Sequence, residues 1–294
     1  MKKIEDAIAE FRQFLLDDGK SAKTIESYIG DIVGLVNFLK STNGKFNGQL
    51  KRCHITNYRT YLINKEYKPS TINKKVNSFH MFNVFLVNCG WMREIVVDVR
   101  KDSFKVANGS EDDVEIIEDE TIEKILDIIG RGEISARNRL IVYLLIYTGL
   151  RVSELCSIKI KNIDMSLKQL RIVGKGGKFR ELPLKEEIIQ AIKEYLPERA
   201  KNIYAVSENL LIGQRGIIHR DAVDTVLENI SRLAGLETKL KPHSFRHAFC
   251  TKLINKGVPI TTVAKLAGHS SIETTSRFYI NCSKADKIKA VSLL

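Results

Sequence analysis

Residues 241–250 read KPHSFRHAFC. The chain has only six histidines, yet two of them, His243 and His247, bracket Arg246 here. Pro242 signals a helix start, because its missing N–H is not needed in a first turn. His243 and Arg246, three residues apart, then share one helical face. An imidazole can move a proton near neutral pH, and a guanidinium grips an anion with a two-pronged fork. The stretch therefore reads as a helix with an anion-handling edge. A zinc site would need further ligands at metal spacing, and none appear. His247 points elsewhere on the helix and reads as packing or a cap.

Downstream, LAGHSSIETTSRFY (266–279) offers His269 after a glycine turn and Tyr279 ten residues later. Upstream, the run Leu140–Ile146 is almost wholly apolar, fit for a buried helix, and Gly149 ends it. Arg151 and Glu154 follow in TGLRVSEL (148–155), at the head of another short helix whose first turn favours an acid. Next, LKQLRIVGKGGKFRELPL (167–184) alternates as two strands around GKGG, a hairpin with Lys175 at its tip and Lys178 just beyond. From 185 onward the pattern is mostly helical.

The first hundred residues read as several short helices. SAKTIESYIGDIVGLVNFLK (21–40) places Ile25, Tyr28, Ile29, Ile32, Leu35, Val36 and Leu39 on one stripe, with Ser21 as N-cap. A second helix runs through ITNYRTYLINKEY (55–67), and a third begins near Pro69 and Ser70. The first and third of these starts are polar and basic: Ser21, Lys23 and Thr24, then Ser70, Thr71, Asn73, Lys74 and Lys75. Free N–H groups at helix starts, joined by lysines, suit phosphate contacts. Residues 101–113 are charged and turn-rich and read as a linker between residues 1–100 and a second domain at 114–282.

Composition agrees with a polyanionic partner. Lysine and arginine total 47 against 35 acids, for a net charge of +12 over 294 residues. Residues 1–108 hold 18 basic against 11 acidic residues (+7), and the remainder 29 against 24 (+5). Both halves are basic, as expected if both touch one nucleic acid. No apolar run reaches membrane-span length, and the N-terminus lacks a signal-peptide pattern. The five cysteines, Cys53, Cys89, Cys156, Cys250 and Cys282, are dispersed without a CxxC pair. They point to buried thiols in a reducing, cytoplasmic setting.

Cutting a DNA strand without a metal needs groups for three tasks. Arginine forks must hold the non-bridging oxygens, a nucleophile must attack in line, and the departing 5′ oxygen must gain a proton. The ordered set Arg151, Lys175, His243, Arg246, His269 and Tyr279 offers a candidate for each. In the contexts TGLRVSEL, GKGGKFRELPL and HSFRHAFCTKLINKGVPITTVAKLAGHSSIETTSRFY, this set closely resembles the tyrosine recombinase (phage integrase) family, in its Xer-like and transposon-integrase branch. The resemblance is dense over residues 135–281 and loose over the N-terminal hundred.

The resemblance implies a mainly α fold with a small antiparallel β-hairpin, arranged as a two-domain C-shaped DNA clamp. A helical SAM-like core-binding domain would face the catalytic domain across the duplex. It implies Tyr279 as nucleophile, Arg151 and Arg246 as phosphate clamp, and Lys175 as proton donor to the leaving oxygen, with Lys178 as fallback. It implies His243 for proton transfer, His269 as a phosphate-side donor, and Glu154 as their acidic support. No metal or cofactor is implied, since the covalent link conserves the bond energy. Expected partners are double-stranded DNA with inverted-repeat core sites, a homotetramer on two such sites, and accessory DNA-bending proteins. Free in solution, a monomer or weak self-association is expected. The tail 283–294, with Ala285, Ile288 and Val291 at helical spacing, would dock on a neighbouring copy. Further DNA contacts are expected from Arg215, His219 and Arg220 at a helix start, from Lys241 and Ser244, and from Thr274, Thr275 and Arg277. A mobile-element role leads. Chromosome-dimer resolution and relaxation by a type IB topoisomerase-like enzyme are the alternatives, with a binding-only protein behind them.

Overall fold

The computed structural model describes residues 4–43, 49–104, 117–174, 179–269 and 275. The fold is mainly helical with small antiparallel sheets, and the chain divides into two compact units, Met1–Ala107 and Asn108–Leu294.

The first unit is built from α1 (Ile4–Asp17), α2 (Ala22–Asn43), α3 (Arg52–Asn64), α4 (Pro69–Asn88) and the single turn α5 (Val99–Asp102). Helix α1 buries Ile4, Ala7, Phe11 and Leu15, one face at three- and four-residue spacing. The Ser21 hydroxyl accepts from the Thr24 N–H (3.3 Å), which caps the start of α2. Helix α4 begins on Pro69 and sends Phe79, Phe82 and Phe85 into the core, where Phe11 meets Phe82 edge-on at 5.0 Å.

The chain leaving α4 is tied down by polar side chains. Buried Asn83 accepts from the Val96 and Val97 N–H groups (2.7 and 3.1 Å). Arg52 forks onto both oxygens of fully buried Asp102. Asn73 exchanges two hydrogen bonds with the Phe104 backbone (2.7 and 3.0 Å). Residues 101–104, the start of the expected linker, thus pack with the first unit. The linker's remainder lies outside the described residues.

The second unit holds α6 (Asp119–Gly130), α7 (Ala136–Thr148), α8 (Val152–Ser157), β1 (Ile163–Asp164), β2 (Gln169–Val173), β3 (Phe179–Pro183), α9 (Glu186–Ala200), β4 (Ile212–Gly213), β5 (Gly216–Ile217), α10 (Arg220–Leu233), α11 (Pro242–Asn255) and α12 (Ile260–Ala267). Helix α7 buries Leu140, Ile141, Val142, Leu144 and Leu145. At about 1.5–3 kcal/mol for each large apolar side chain buried, it is the unit's central beam. Ser135 caps its start, and Gly149 ends it with a left-handed φ of 59°. A Cβ at Gly149 would lie 2.4 Å from the Phe249 ring, so only glycine lets α11 approach there.

Strands β2 and β3 form the expected hairpin, in a register that opposes Leu170 to Leu182 and Ile172 to Arg180. Strand β1 extends it to three strands, and β4–β5 makes a second small sheet. The sequence reading had neither, because a two-residue strand shows no alternation. No described helix is long and apolar enough to cross a membrane.

Candidate active site

The turn after α7 delivers Arg151 to the head of α8. The Glu154 carboxylate reaches back to accept the Arg151 backbone N–H (2.8 Å), satisfying a donor the helix start leaves free. The same carboxylate takes Arg151 Nη1 at 3.1 Å, and Arg151 Nη2 donates to the Gly268 carbonyl at 2.8 Å. Arg180 completes the cluster. Its Nη1 and Nη2 grip the two oxygens of Glu154 at 2.9 and 3.0 Å, and its Nε donates to the Leu266 carbonyl at 3.0 Å. Burial by itself would raise the Glu154 pKa, but the Arg180 bonds, the Arg151 N–H and both guanidinium charges hold it below the usual range. Gly268, left-handed at φ 69°, lies so close that a Cβ would sit 2.4 Å from Arg180 Nη1.

Helix α11 brings the opening motif to the same place. Arg246 is 3% exposed, and its Nη1 donates to the Gly149 carbonyl at 2.8 Å. Its Nη2 is buried with no hydrogen-bond partner among the described residues. Burial first, then the Arg151 charge, lowers its pKa to about 10. A buried donor without an acceptor is costly, and an arriving anion would supply one. His243 Nε2 and His247 Nε2 lie 2.8 Å apart, with the rings edge-on at 4.4 Å. One ring therefore gives its N–H to the other's lone pair. His269 follows α12, and its Nδ1 lies 2.7 Å from the buried Thr275 hydroxyl. Burial and the neighbouring cations depress all three histidines: His247 and His269 fall to about 4, and His243 is lowered.

The structure thus gathers Arg151 and Glu154 at the head of α8, His243 and Arg246 on α11, and His269 after α12. Three guanidiniums face one carboxylate here, which leaves the cluster cationic and suited to a phosphodiester. Lys175, Lys178, Thr274, Arg277, Tyr279 and the tail 283–294 lie outside the described residues. Among the described residues, no group of His, Cys, Asp or Glu has a metal-binding arrangement.

The expected DNA-contact residues differ in how far their side chains are already engaged within the protein. Both amide functions of Asn73 are used on Phe104, and Lys75 and Lys74 pair with buried Asp31 at 2.9 and 2.8 Å. Ser244 is 7% exposed, and Thr275 is fully buried with its hydroxyl 2.7 Å from His269 Nδ1. Ser21 and Thr24 share a hydrogen bond at 2.8 Å, Ser70 is exposed, and Thr71 is half-buried. Lys23, Lys241, Arg215, His219 and Arg220 are exposed, with Arg220 beside Asp224 at 3.5 Å. Arg215 and His219 line a groove between the β4–β5 turn and α10.

One expectation for the cluster is corrected and one of its residues carried no expectation. His247, expected to point elsewhere on the helix, meets His243 because residues four apart share a helical face. Arg180 alternates with Leu182 and Leu184, which places it on the inward face of β3, and that period-two pattern was the available signal.

The family model described as the phage integrase family matches residues 115–286. A TnP I resolvase of Bacillus thuringiensis is 32% identical over 92% of this chain and 93% of its own length. A tyrosine recombinase XerC of Staphylococcus haemolyticus is 31% identical over 88% of this chain and 86% of the relative. Among solved structures, XerH site-specific recombinase bound to palindromic difH substrate, a post-cleavage complex, superposes with a TM-score of 0.76. It covers 92% of this chain and 79% of that one at 23% identity, which supports the fold. The chain belongs to the phage integrase family of tyrosine recombinases, enzymes of site-specific DNA recombination.

Proposed function

We propose that this recombinase cleaves and rejoins DNA strands through a 3′-phosphotyrosine on Tyr279, and that two rounds of exchange pass through a Holliday junction. The carrying observation is the buried Arg246 Nη2, a donor without an acceptor among the described residues, beside Arg151, His243 and His269. In this reading Arg151 and Arg246 hold the non-bridging oxygens, and His269 donates to the same phosphate. The Tyr279 oxygen attacks phosphorus and its proton passes to His243. The P–O5′ bond breaks, and the departing oxygen takes a proton from Lys175. Religation runs the same steps backwards. The working partner is duplex DNA with inverted-repeat core sites. A homotetramer forms on two such sites, with the tail 283–294 packing on a neighbour and accessory DNA-bending proteins assisting.

A mobile element is the proposed beneficiary, with chromosome-dimer resolution as the alternative, and relatives named TnP I resolvase and XerC are about equally similar, at 32% and 31% identity. The proposed compartment is the cytoplasm, in keeping with free Cys53, Cys89, Cys156 and Cys250. The test is a labelled suicide duplex, nicked beside the cleavage point and built from a site selected out of random-sequence DNA. The wild type should form an adduct that survives denaturant, and Tyr279→Phe should bind without forming one. A wild type that binds the selected site but never becomes covalently attached would overturn the reading.

A further inference from the structure

We propose that Arg180 is a positioning residue for leaving-group protonation, acting by fixing the β2–β3 hairpin to the rest of the site. This rests on the strand-cleavage reading above. Residues 174–178 join the two strands and contain both candidate proton donors, Lys175 and Lys178. Proton transfer needs heavy atoms within about 3 Å of each other, so the base of the hairpin must be held firmly.

Arg180 sits at that base, one residue into β3, opposite Ile172. It is the inward residue of β3 nearest the joining segment. Its side chain is 16% exposed and bonds two other elements: Glu154 on α8 through both nitrogens of the fork, and the Leu266 carbonyl in α12 through Nε. Helix α8 is headed by Arg151, and α12 runs into His269. One guanidinium therefore links the lysine-bearing ribbon to the elements that carry the phosphate-side groups. The other charged side chains of these strands, Arg171 and Glu181, pair with each other at 3.0 Å and tie the hairpin only to itself. Gly268, where a Cβ would lie 2.4 Å from Arg180 Nη1, keeps the seat open.

Simple neutralisation of Glu154 would need a cation but no fork. Arg180→Lys keeps the cation and cannot reproduce the three bonds, so it separates the two roles. The measurement is the first-order rate of adduct formation on two suicide duplexes of the same sequence. One carries the ordinary 5′ oxygen at the scissile phosphate, and the other a 5′-bridging sulfur. With sulfur the P–S bond breaks and the thiolate leaves with its electron pair, so no proton donor is required.

Arg180→Lys is expected to slow the oxygen substrate roughly 10²-fold, the scale of a lost general acid, and to recover most of that loss on the sulfur substrate. Arg180→Gln, which removes the charge as well, is expected to show the same oxygen–sulfur asymmetry. Thermal melting of each variant confirms that it is folded. Equal slowing on both substrates, or no slowing at all, overturns the proposal. A wild type that attaches to neither substrate overturns the strand-cleavage reading instead, so the two failures are distinguishable.

Discussion

Arg246 Nη1 donates to the carbonyl of Gly149 at 2.8 Å, joining residues 97 apart in sequence. The bond fixes one edge of the guanidinium against the end of α7 and leaves Nη2 without a partner among the described residues. In the proposed reading the fork is divided between scaffold and phosphate. Arg246→Lys should keep the fold and lose the divided grip. Adduct formation on a suicide duplex should fall about 10²–10³-fold, while duplex affinity in a gel-shift titration drops far less. Parallel losses in both measurements would count against a role in the transition state.

The histidines make stability depend on pH. His247 and His269 fall to about 4 in the folded protein, and His243 is lowered, chiefly through burial and then the nearby charges. In the unfolded chain each titrates near 6.5. Between those values the unfolded state binds more protons, so stability is full above about pH 6.5 and drains away as pH falls towards 4. Glu154, held below its usual range, adds a loss of the same sign at lower pH. Because the histidines are partly exposed, the combined effect should be about 1–2 kcal/mol. Melting at constant ionic strength should be several degrees lower at pH 5 than at pH 7.5, and His247→Asn should flatten the slope. A melting temperature indifferent to pH across that range would contradict this account.

What the sequence disclosed follows from the range of each signal. Helix α7 was legible because seven consecutive residues, Leu140–Ile146, are apolar or aromatic, and the hairpin because strands alternate around GKGG. The grouping of Arg151, His243, Arg246 and His269 was reached only through family resemblance, since their spacing along the chain does not encode their meeting. The internal partners of Lys75 and Asn73 were illegible for a related reason. A polar helix start looks the same whether it faces DNA or a buried partner, and their partners, Asp31 and Phe104, are 44 and 31 residues away. Arg180 had a local signal in the alternation of β3, but its purpose depends on Glu154 and Leu266, which no local pattern reveals.

In the first unit, Asp102 is fully buried and takes both prongs of Arg52 together with the Asp98 N–H at 2.9 Å. Arg52→Met would leave that carboxylate without its cation. The expected cost is about 3 kcal/mol, the low end for breaking a buried pair, because Arg52 itself is 44% exposed. Adding Asp102→Asn should recover part of the loss, since a neutral amide needs no counter-charge. Urea unfolding of the single and double variants measures the coupling. Strictly additive losses would show that the pair contributes little.

Arg199, 6% exposed at the end of α9, spreads its guanidinium over four backbone carbonyls: Ala205, Ser207, Asn209 and Leu210, at 3.1, 2.6, 2.7 and 3.0 Å. This holds a loop whose Ile203 and Val206 are 83% and 95% exposed, so apolar burial of those two side chains cannot be what orders it. The same loop reaches the segment after α8, where the Leu210 N–H donates to the Ile158 carbonyl (2.8 Å) and the Ile160 N–H to the Glu208 carbonyl (2.9 Å). A lysine at 199 could satisfy at most three of the four carbonyls, and its tetrahedral donors do not match their spread. Arg199→Lys should therefore cost about 2–3 kcal/mol, from buried acceptors left unpaired. Amide hydrogen exchange at Ile160 and Leu210 should accelerate well beyond that at the α7 amides. Uniform acceleration across the unit would mean that Arg199 supports global stability alone, with no local hold on the segment that follows Glu154.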